Sequence, residues 1–367
     1  MQRLQRHRRG SAAGSWAKTT FTDSNYDHQR TPGDAGMNNF TYIRATSVKD
    51  ALQRAKTDQK AMYIAGGTNL VDRLKVFLDE PSQLIDISRL EMGRIERTSS
   101  GGLRIGALVS NTAVADHPDV RRNYPMLSRA ILAGASQQIR NMATMGGNLL
   151  QRTRCPYYYD TAFPCNKRQP GTGCPAATGI NRMHAILGAS EQCFAVHPSD
   201  MCVALAALDA VVDVEGPKGK RQIPLTDFHR LPGDAPQRDT NLEPGELITA
   251  VTLGPMPFAK SGVYLKLRDR TSYAFALISV AAALELTGEQ IKNARLAMGG
   301  IAHKPWRTTE AEKFLIGKPA NTTTFQQAAE IALAGAKPLT HNAFKVDMAK
   351  RAIRRALTVS AKGGGVV

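Results

Sequence analysis

Cys155, Cys165, Cys174 and Cys193 fall within 39 residues at the spacing C-x9-C-x8-C-x18-C. Clustered thiols can close disulfides, bind zinc or hold an iron–sulfur cluster. Structural zinc sites show closely paired ligands, and this segment has no such pair. Disulfides add little to a chain long enough to bury a full core. A [4Fe–4S] cluster takes four thiolates, and a long loop can wrap its larger body with wide, uneven spacings. Pro156, Pro164 and Pro175 would stiffen that loop. Spacing favours the cluster, while two disulfides, zinc and unligated thiols stay open. The fifth cysteine, Cys202, lies in an apolar run and reads as a small buried hydrophobe.

Two glycine-rich segments form the second group. Ala65-Gly66-Gly67-Thr68-Asn69-Leu70 follows a short apolar run, and Thr144-Met145-Gly146-Gly147-Asn148 has a similar make-up. Paired glycines let consecutive backbone N–H groups converge on an anion, and the neighbouring Thr and Asn add donors. One such loop is a common turn; two suggest the two phosphates of a dinucleotide. Residues 171–176 fit G-x-G-x-x-A literally, but they lie in the Cys/Pro loop and not between a strand and a helix, so they are set aside. No Ser-His-Asp, paired-carboxylate or H-E-x-x-H arrangement is present, and His184, His197 and His303 have no partners at meaningful spacing.

Elements must position these groups. Ser47 is a candidate N-cap before a helix with Val48, Ala51, Leu52 and Ala55 on one face. Residues 61–65, 84–87, 103–107, 211–215, 247–253, 263–267 and 294–298 read as strands. Residues 126–138 read as one amphipathic helix, 199–209 as a buried helix and 343–357 as a basic helix. Residues 152–195 break the pattern, and a loop of this length in a compact domain is usually functional or disordered. Short strands with segregated helices indicate an α+β fold.

The length of 367 residues suggests two or three domains, and 42% hydrophobic with 22% charged residues is ordinary for a globular chain. No apolar run approaches the length of a membrane span. The net charge of +17 includes +3 on residues 1–36, which read as a disordered extension. Arg8-Arg9 invites comparison with a twin-arginine signal, but the apolar segment such a signal needs is missing. No interleaving of basic and aromatic residues supports nucleic-acid binding.

The segments Ile64-Ala65-Gly66-Gly67-Thr68-Asn69-Leu70, Leu103-Arg104-Ile105-Gly106-Ala107, Ala143-Thr144-Met145-Gly146-Gly147-Asn148, His197-Pro198-Ser199-Asp200 and Tyr264-Leu265-Lys266-Leu267-Arg268-Asp269-Arg270 resemble the FAD-binding subunits of the xanthine dehydrogenase and molybdenum hydroxylase family. The cysteine-bearing insertion makes the resemblance closest to the flavin subunits of bacterial periplasmic aldehyde oxidoreductases. The similarity runs from about residue 37 to the last helix.

The resemblance implies a vanillyl-alcohol-oxidase-like FAD domain of two α+β subdomains over 37–256, with a [4Fe–4S] insertion at about 152–195. A smaller α/β C-terminal domain of the CO dehydrogenase flavoprotein type follows over 257–367. It implies that both glycine segments, with Ala107, hold the FAD, that Asp200 bonds its ribose or ribityl region, and that Lys266 and Arg268 lie near the isoalloxazine. It implies a cluster on Cys155, Cys165, Cys174 and Cys193, beside the Arg154-Cys155-Pro156-Tyr157-Tyr158-Tyr159 run. Substrate oxidation then belongs to a partner carrying the molybdenum cofactor. A [2Fe–2S] subunit completes a heterotrimer and feeds electrons through FAD to an external acceptor. The expected compartment is the periplasm, reached with a signal-bearing partner. Two alternatives remain: the flavin subunit of a 4-hydroxybenzoyl-CoA reductase-like complex, and a non-enzymatic metal- or nucleic-acid-binding scaffold.

Overall fold

The computed structural model describes residues 37–365; the extension expected over 1–36 lies outside the described residues. Three sheets organise the described residues. The first is parallel, with β1 (Thr41–Arg44), β2 (Met62–Ile64) and β3 (Gln83–Asp86) in the order β1-β3-β2. Its central strand buries Leu84, Ile85 and Asp86, as a parallel strand covered on both faces must. The helix Val48–Thr57 connects β1 to β2, and the Ser47 hydroxyl accepts from Asp50 N–H at 3.0 Å as its N-cap.

The second sheet contains β4 (Ile95–Arg97), β5 (Leu103–Gly106), β6 (Val211–Gly216), β7 (Gly219–Pro224) and β8 (Leu247–Leu253) in the antiparallel order β4-β5-β8-β6-β7. The third, also antiparallel, runs β12-β11-β10-β9, where β9 is Val263–Leu267, β10 Ile278–Thr287, β11 Gln290–Gly299 and β12 Trp306–Arg307. The helices Thr309–Leu315, Thr322–Leu333 and Phe344–Ala361 pack with this sheet around one apolar core. The helix Asp200–Ala207 is buried at every residue. It lies against the helix Pro125–Ala133 and against β10 and β11, which explains its lack of a polar face.

The single helix expected over 126–138 is two. Pro125–Ala133 ends at Gly134, Ala135 takes a left-handed φ of 52°, and Ser136 caps a new helix, Gln137–Met142. The break brings Gly134 under Asp200: a Cβ added there would lie 3.1 Å from the Asp200 carboxylate.

Residues 152–195 contain only a turn of helix, Pro156–Tyr159, and a 3-10 turn, Pro175–Ala177. Buried polar anchors tie this insertion down instead. Ile186 and Leu187 N–H both donate to Ile301 O, at 2.9 and 3.0 Å, and Ile186 O accepts from Lys337 N–H at 2.7 Å. At its other end the buried Lys167 ammonium pairs with Asp239, which also accepts from Arg152 Nε at 2.6 Å. Burial alone would push the Asp239 carboxyl up, but Arg152 and Lys167 hold it well below the usual range. Among the described residues, no helix is long and apolar enough to cross a membrane.

Candidate cofactor sites

The two glycine segments meet. β2 ends in Gly66-Gly67, with Gly67 at φ +70°, a left-handed turn that glycine adopts without penalty. A Cβ on Gly66 would fall 1.8 Å from Met142 O, so the first loop lies backbone to backbone on the segment that leads into the second. The second segment is not an open loop as expected. It is a short helix, Met145–Leu149, whose N-cap Thr144 accepts from Gly147 N–H at 3.2 Å. Gly146 presses on Ala107, where an added Cβ would come within 3.1 Å of the Ala107 Cβ. Gly147 differs: its missing Cβ would meet only Thr144 Oγ1, at 3.0 Å.

Two clefts join at this meeting point. One, of about 190 Å³, is lined by Ile64, Ala65, Gly66, Gly67, Thr68, Asn69, Leu70, Ala107, Thr144, Gly146 and Gly147. The other, of about 460 Å³, is lined by Thr68, Asn69, Gly147, Asn148, Asp200 and Lys266, together with Asn111, Arg140, Arg154, Tyr159, Tyr273 and Phe275. Thr68, Asn69, Ala143 and Gly147 belong to both. Asn69 Oδ1 accepts from Arg152 N–H at 3.0 Å, yet its buried Nδ2 has no hydrogen-bond partner, and neither has the buried Oδ1 of Asn111. Orphaned buried polar atoms at a cleft are what an absent polar ligand would satisfy.

At the far wall, Lys266 Nζ donates to Asp200 Oδ2 at 2.8 Å and to Ala133 O at 3.1 Å, and Tyr264 OH donates to Asp200 Oδ1 at 2.6 Å. Burial first, and then the Asp200 charge, holds the Tyr264 phenol protonated far above its usual range. The Lys266 ammonium is therefore matched by a carboxylate and is not a free cation facing the cleft. Arg268 departs from expectation. Its guanidinium donates to Ala133 O at 3.0 Å, and Arg268 is absent from the residues lining the cleft. Arg140 and Arg154 are the arginines that line the cleft, Arg154 over the rings of Tyr159 and Phe275 at 5.8 and 5.6 Å.

All four loop cysteines line one small chamber, with Tyr157, Tyr158, Lys167 and His184 around them. None is disulfide-bonded. No three of the four sulfurs lie within 4.8 Å of one another. Tetrahedral zinc with Zn–S of about 2.3 Å would draw its sulfurs to roughly 3.8 Å apart, so the arrangement has not collapsed around a single-ion geometry. Backbone N–H groups point at the sulfurs, from Tyr157 and Tyr158 to Cys155, from Ala176, Ala177 and Phe194 to Cys174, and from Ala195 to Cys193. Burial pushes the Cys155 thiol up to about 12 and the Cys193 thiol to about 11, so ligation must displace protons. The enclosed free space is about 10 Å³; a cluster therefore seats only if the loop opens around it.

The histidines have partners that are distant in sequence. The His197 ring lies 4.2 Å from that of His229, and His303 Nε2 is 3.8 Å from Asp239. Burial lowers His229 and His303 to about 4 and His197 well below its ordinary value. Cys202 is fully buried, as expected, and contributes its sulfur to a group with His197 and His229.

Sequence comparison decides the family. The FAD binding domain in molybdopterin dehydrogenase matches residues 38–256, and the CO dehydrogenase flavoprotein C-terminal domain matches residues 263–359. The chain belongs to the FAD-binding medium subunits of the xanthine dehydrogenase and molybdenum hydroxylase family. It is 51% identical to the aldehyde oxidoreductase FAD-binding subunit PaoB of Escherichia coli (strain K12), over 88% of this chain and 98% of that one. The glyceraldehyde dehydrogenase medium chain of Sulfolobus acidocaldarius is 30% identical over 77% and 83% of the two chains. Among solved structures, quinoline 2-oxidoreductase from Pseudomonas putida 86 superposes with a TM-score of 0.69 at 26% identity, covering 89% of this chain and 99% of that chain. The reconstituted CO dehydrogenase from Oligotropha carboxidovorans shows the same fold, with a TM-score of 0.71 at 24% identity, covering 89% and 99%.

This medium subunit is thus part of an oxidoreductase, and its α+β fold with an α/β C-terminal layer is the family fold. Sequence reasoning missed Asn111, Arg140 and Tyr273 at the cleft. Asn111 follows the helix cap Ser110, Arg140 lies in the unexpected second helix, and Tyr273 sits in an irregular stretch at φ 50°. None carries a local signal of binding.

Proposed function

We propose that this chain is the FAD- and [4Fe–4S]-carrying subunit of a heterotrimeric molybdenum-dependent aldehyde oxidoreductase. A molybdenum subunit oxidises the aldehyde, and a [2Fe–2S] subunit delivers the electrons. When bound, FAD exchanges single electrons with iron–sulfur centres and pairs of electrons with an acceptor. The observation that carries the reading is the convergence of Cys155, Cys165, Cys174 and Cys193 on one chamber next to the twin-loop cleft. The aldehyde reading draws support from the identity to an aldehyde oxidoreductase subunit along nearly its full length.

In this reading Gly147 and the Asn69 amide border the dinucleotide where the two clefts join. Thr68 and Asn148 flank them, and Asp200, clamped by Lys266 and Tyr264, closes the larger cleft. The FAD domain covers 37–256 with its insertion at 152–195, and the C-terminal domain covers 257–367. A signal-bearing partner takes the assembled complex to the periplasm.

The test is Cys165→Ser in the co-expressed complex. The expected result is loss of iron from this subunit with FAD partly retained. A variant that keeps four iron atoms on this chain would overturn the ligand assignment.

A further inference from the structure

Asn69 stands at the N-cap of the helix Leu70–Lys75, where an asparagine ordinarily gives its side-chain oxygen to a first-turn N–H. It makes no such bond. Its Oδ1 is committed elsewhere, accepting from Arg73 Nη1 at 3.2 Å as well as from Arg152 N–H at 3.0 Å. A guanidinium nitrogen and a backbone N–H can only donate, so the oxygen end of the carboxamide is fixed against them. The amide end is thereby turned away, and Nδ2 is buried with no hydrogen-bond partner. Asn69 borders both clefts, and Arg73 borders the smaller one.

We propose that Arg73 is a positioning residue of the flavin site: it holds the Asn69 carboxamide so that Nδ2 donates to a phosphate oxygen of the dinucleotide. This rests on the reading that FAD fills the joined clefts. An amide nitrogen that can only donate is matched best by a group that only accepts. A phosphate oxygen is such a group, whereas a ribityl hydroxyl both donates and accepts.

Arg73 is placed to hold its neighbour and not to meet the anion as a free charge. It is buried, and its guanidinium pairs with the Asp79 carboxylate. Asp79 returns to it through a tight turn. Leu78 N–H donates to Arg73 O at 3.0 Å, and Phe77 takes a left-handed φ of 56°, a conformation that a bulky residue rarely adopts. The helix fixes the other side, since Arg73 N–H donates to Asn69 O at 3.3 Å. Arg73 and Asn69 are thus joined across one helical turn by backbone and side chain alike.

The experiment titrates FAD calorimetrically into the complete, deflavinated complex, and urea melts check that each flavin-free variant is folded. Asn69→Ala removes the donor and should weaken FAD binding roughly 10- to 150-fold. Asn69→Asp keeps an acceptor for Arg73 and Arg152 but puts a carboxylate oxygen in place of Nδ2, so it should bind FAD more weakly than Asn69→Ala. Arg73→Lys keeps a charge beside Asp79 and gives up the second arm. It should weaken FAD binding roughly 2- to 10-fold in the otherwise unaltered chain, and cause no further loss in Asn69→Ala. Equal losses in both backgrounds, or an unmoved affinity in Arg73→Lys, would overturn the positioning role. Unaltered affinity in Asn69→Ala or Asn69→Asp would overturn the phosphate contact. If Arg73→Lys fails to fold, Arg73→Met with Asp79→Asn, which removes both buried charges together, takes its place under the same criteria. An unaltered complex that binds no FAD would overturn the flavin reading itself.

Discussion

Gly147→Ala separates a glycine that binds from a glycine that packs. Gly147 lies inside the helix Met145–Leu149, outside the left-handed region, and borders both clefts. Alanine is therefore conformationally allowed, and its better helix propensity should raise or maintain the stability of the flavin-free protein, by about 0.5–1 kcal/mol. The added methyl group touches Thr144 Oγ1 at 3.0 Å, a small adjustment, and otherwise projects into open space. If FAD fills that space, the methyl overpacks the complex at a cost of about 1–3 kcal/mol, which weakens FAD binding roughly 5- to 150-fold. Gly66→Ala is the contrast. Its Cβ would lie 1.8 Å from Met142 O, so it should disrupt the fold before any question of affinity arises. Calorimetric titration of FAD into deflavinated protein, paired with urea melts, reads both quantities. A folded Gly147→Ala chain that binds FAD as tightly as the unaltered protein would refute the placement of the cofactor at the junction.

Three further outcomes follow from the buried charges. Asp239→Ala leaves the buried Lys167 and its neighbour Arg152 without their carboxylate and should cost about 3–5 kcal/mol in urea melts; a loss below about 1 kcal/mol would show that the pair does not anchor the insertion. Lys266→Met strands the Asp200 carboxylate and should destabilise by a similar amount, about 3–5 kcal/mol, with most of that loss relieved in the Asp200→Asn background; additive effects would show that the two groups are not coupled. His197, His229 and His303 are held neutral by burial, the latter two down to about 4. The unfolded chain binds their protons below its ordinary imidazole range. Stability is therefore full above about pH 6.5 and falls toward pH 4, by about 4 kcal/mol per pH unit near pH 5 for three protons. A flat stability profile between those limits would contradict their burial as neutral rings.

Much of the site was legible because its chemistry is carried by residue identity over short spans. The glycine pairs, the Ser199 cap and the four cysteines announce themselves at fixed local spacing, and the structure brings each group together. Features made by distant contacts were not legible. Ala135 takes a left-handed φ that no alanine signals, and so divides a helix whose apolar periodicity continues across the break. Lys167 meets Asp239 across 72 residues, and Lys266 meets Asp200 across 66. Neither pairing has a local signal, since each counter-ion belongs to another element. β4 escaped because two of its three residues are exposed and polar, so no alternation marks it.

We propose that one chain holds a flavin in the joined clefts and a four-iron cluster on the inserted loop. The most direct measurement is the visible absorbance spectrum of this subunit, purified without oxygen from iron-replete cells, before and after dithionite. Resolved flavin bands over a broad brown iron–sulfur shoulder, both bleached by reduction, are the expected result. A purely yellow, correctly folded protein whose spectrum is that of flavin alone would contradict it.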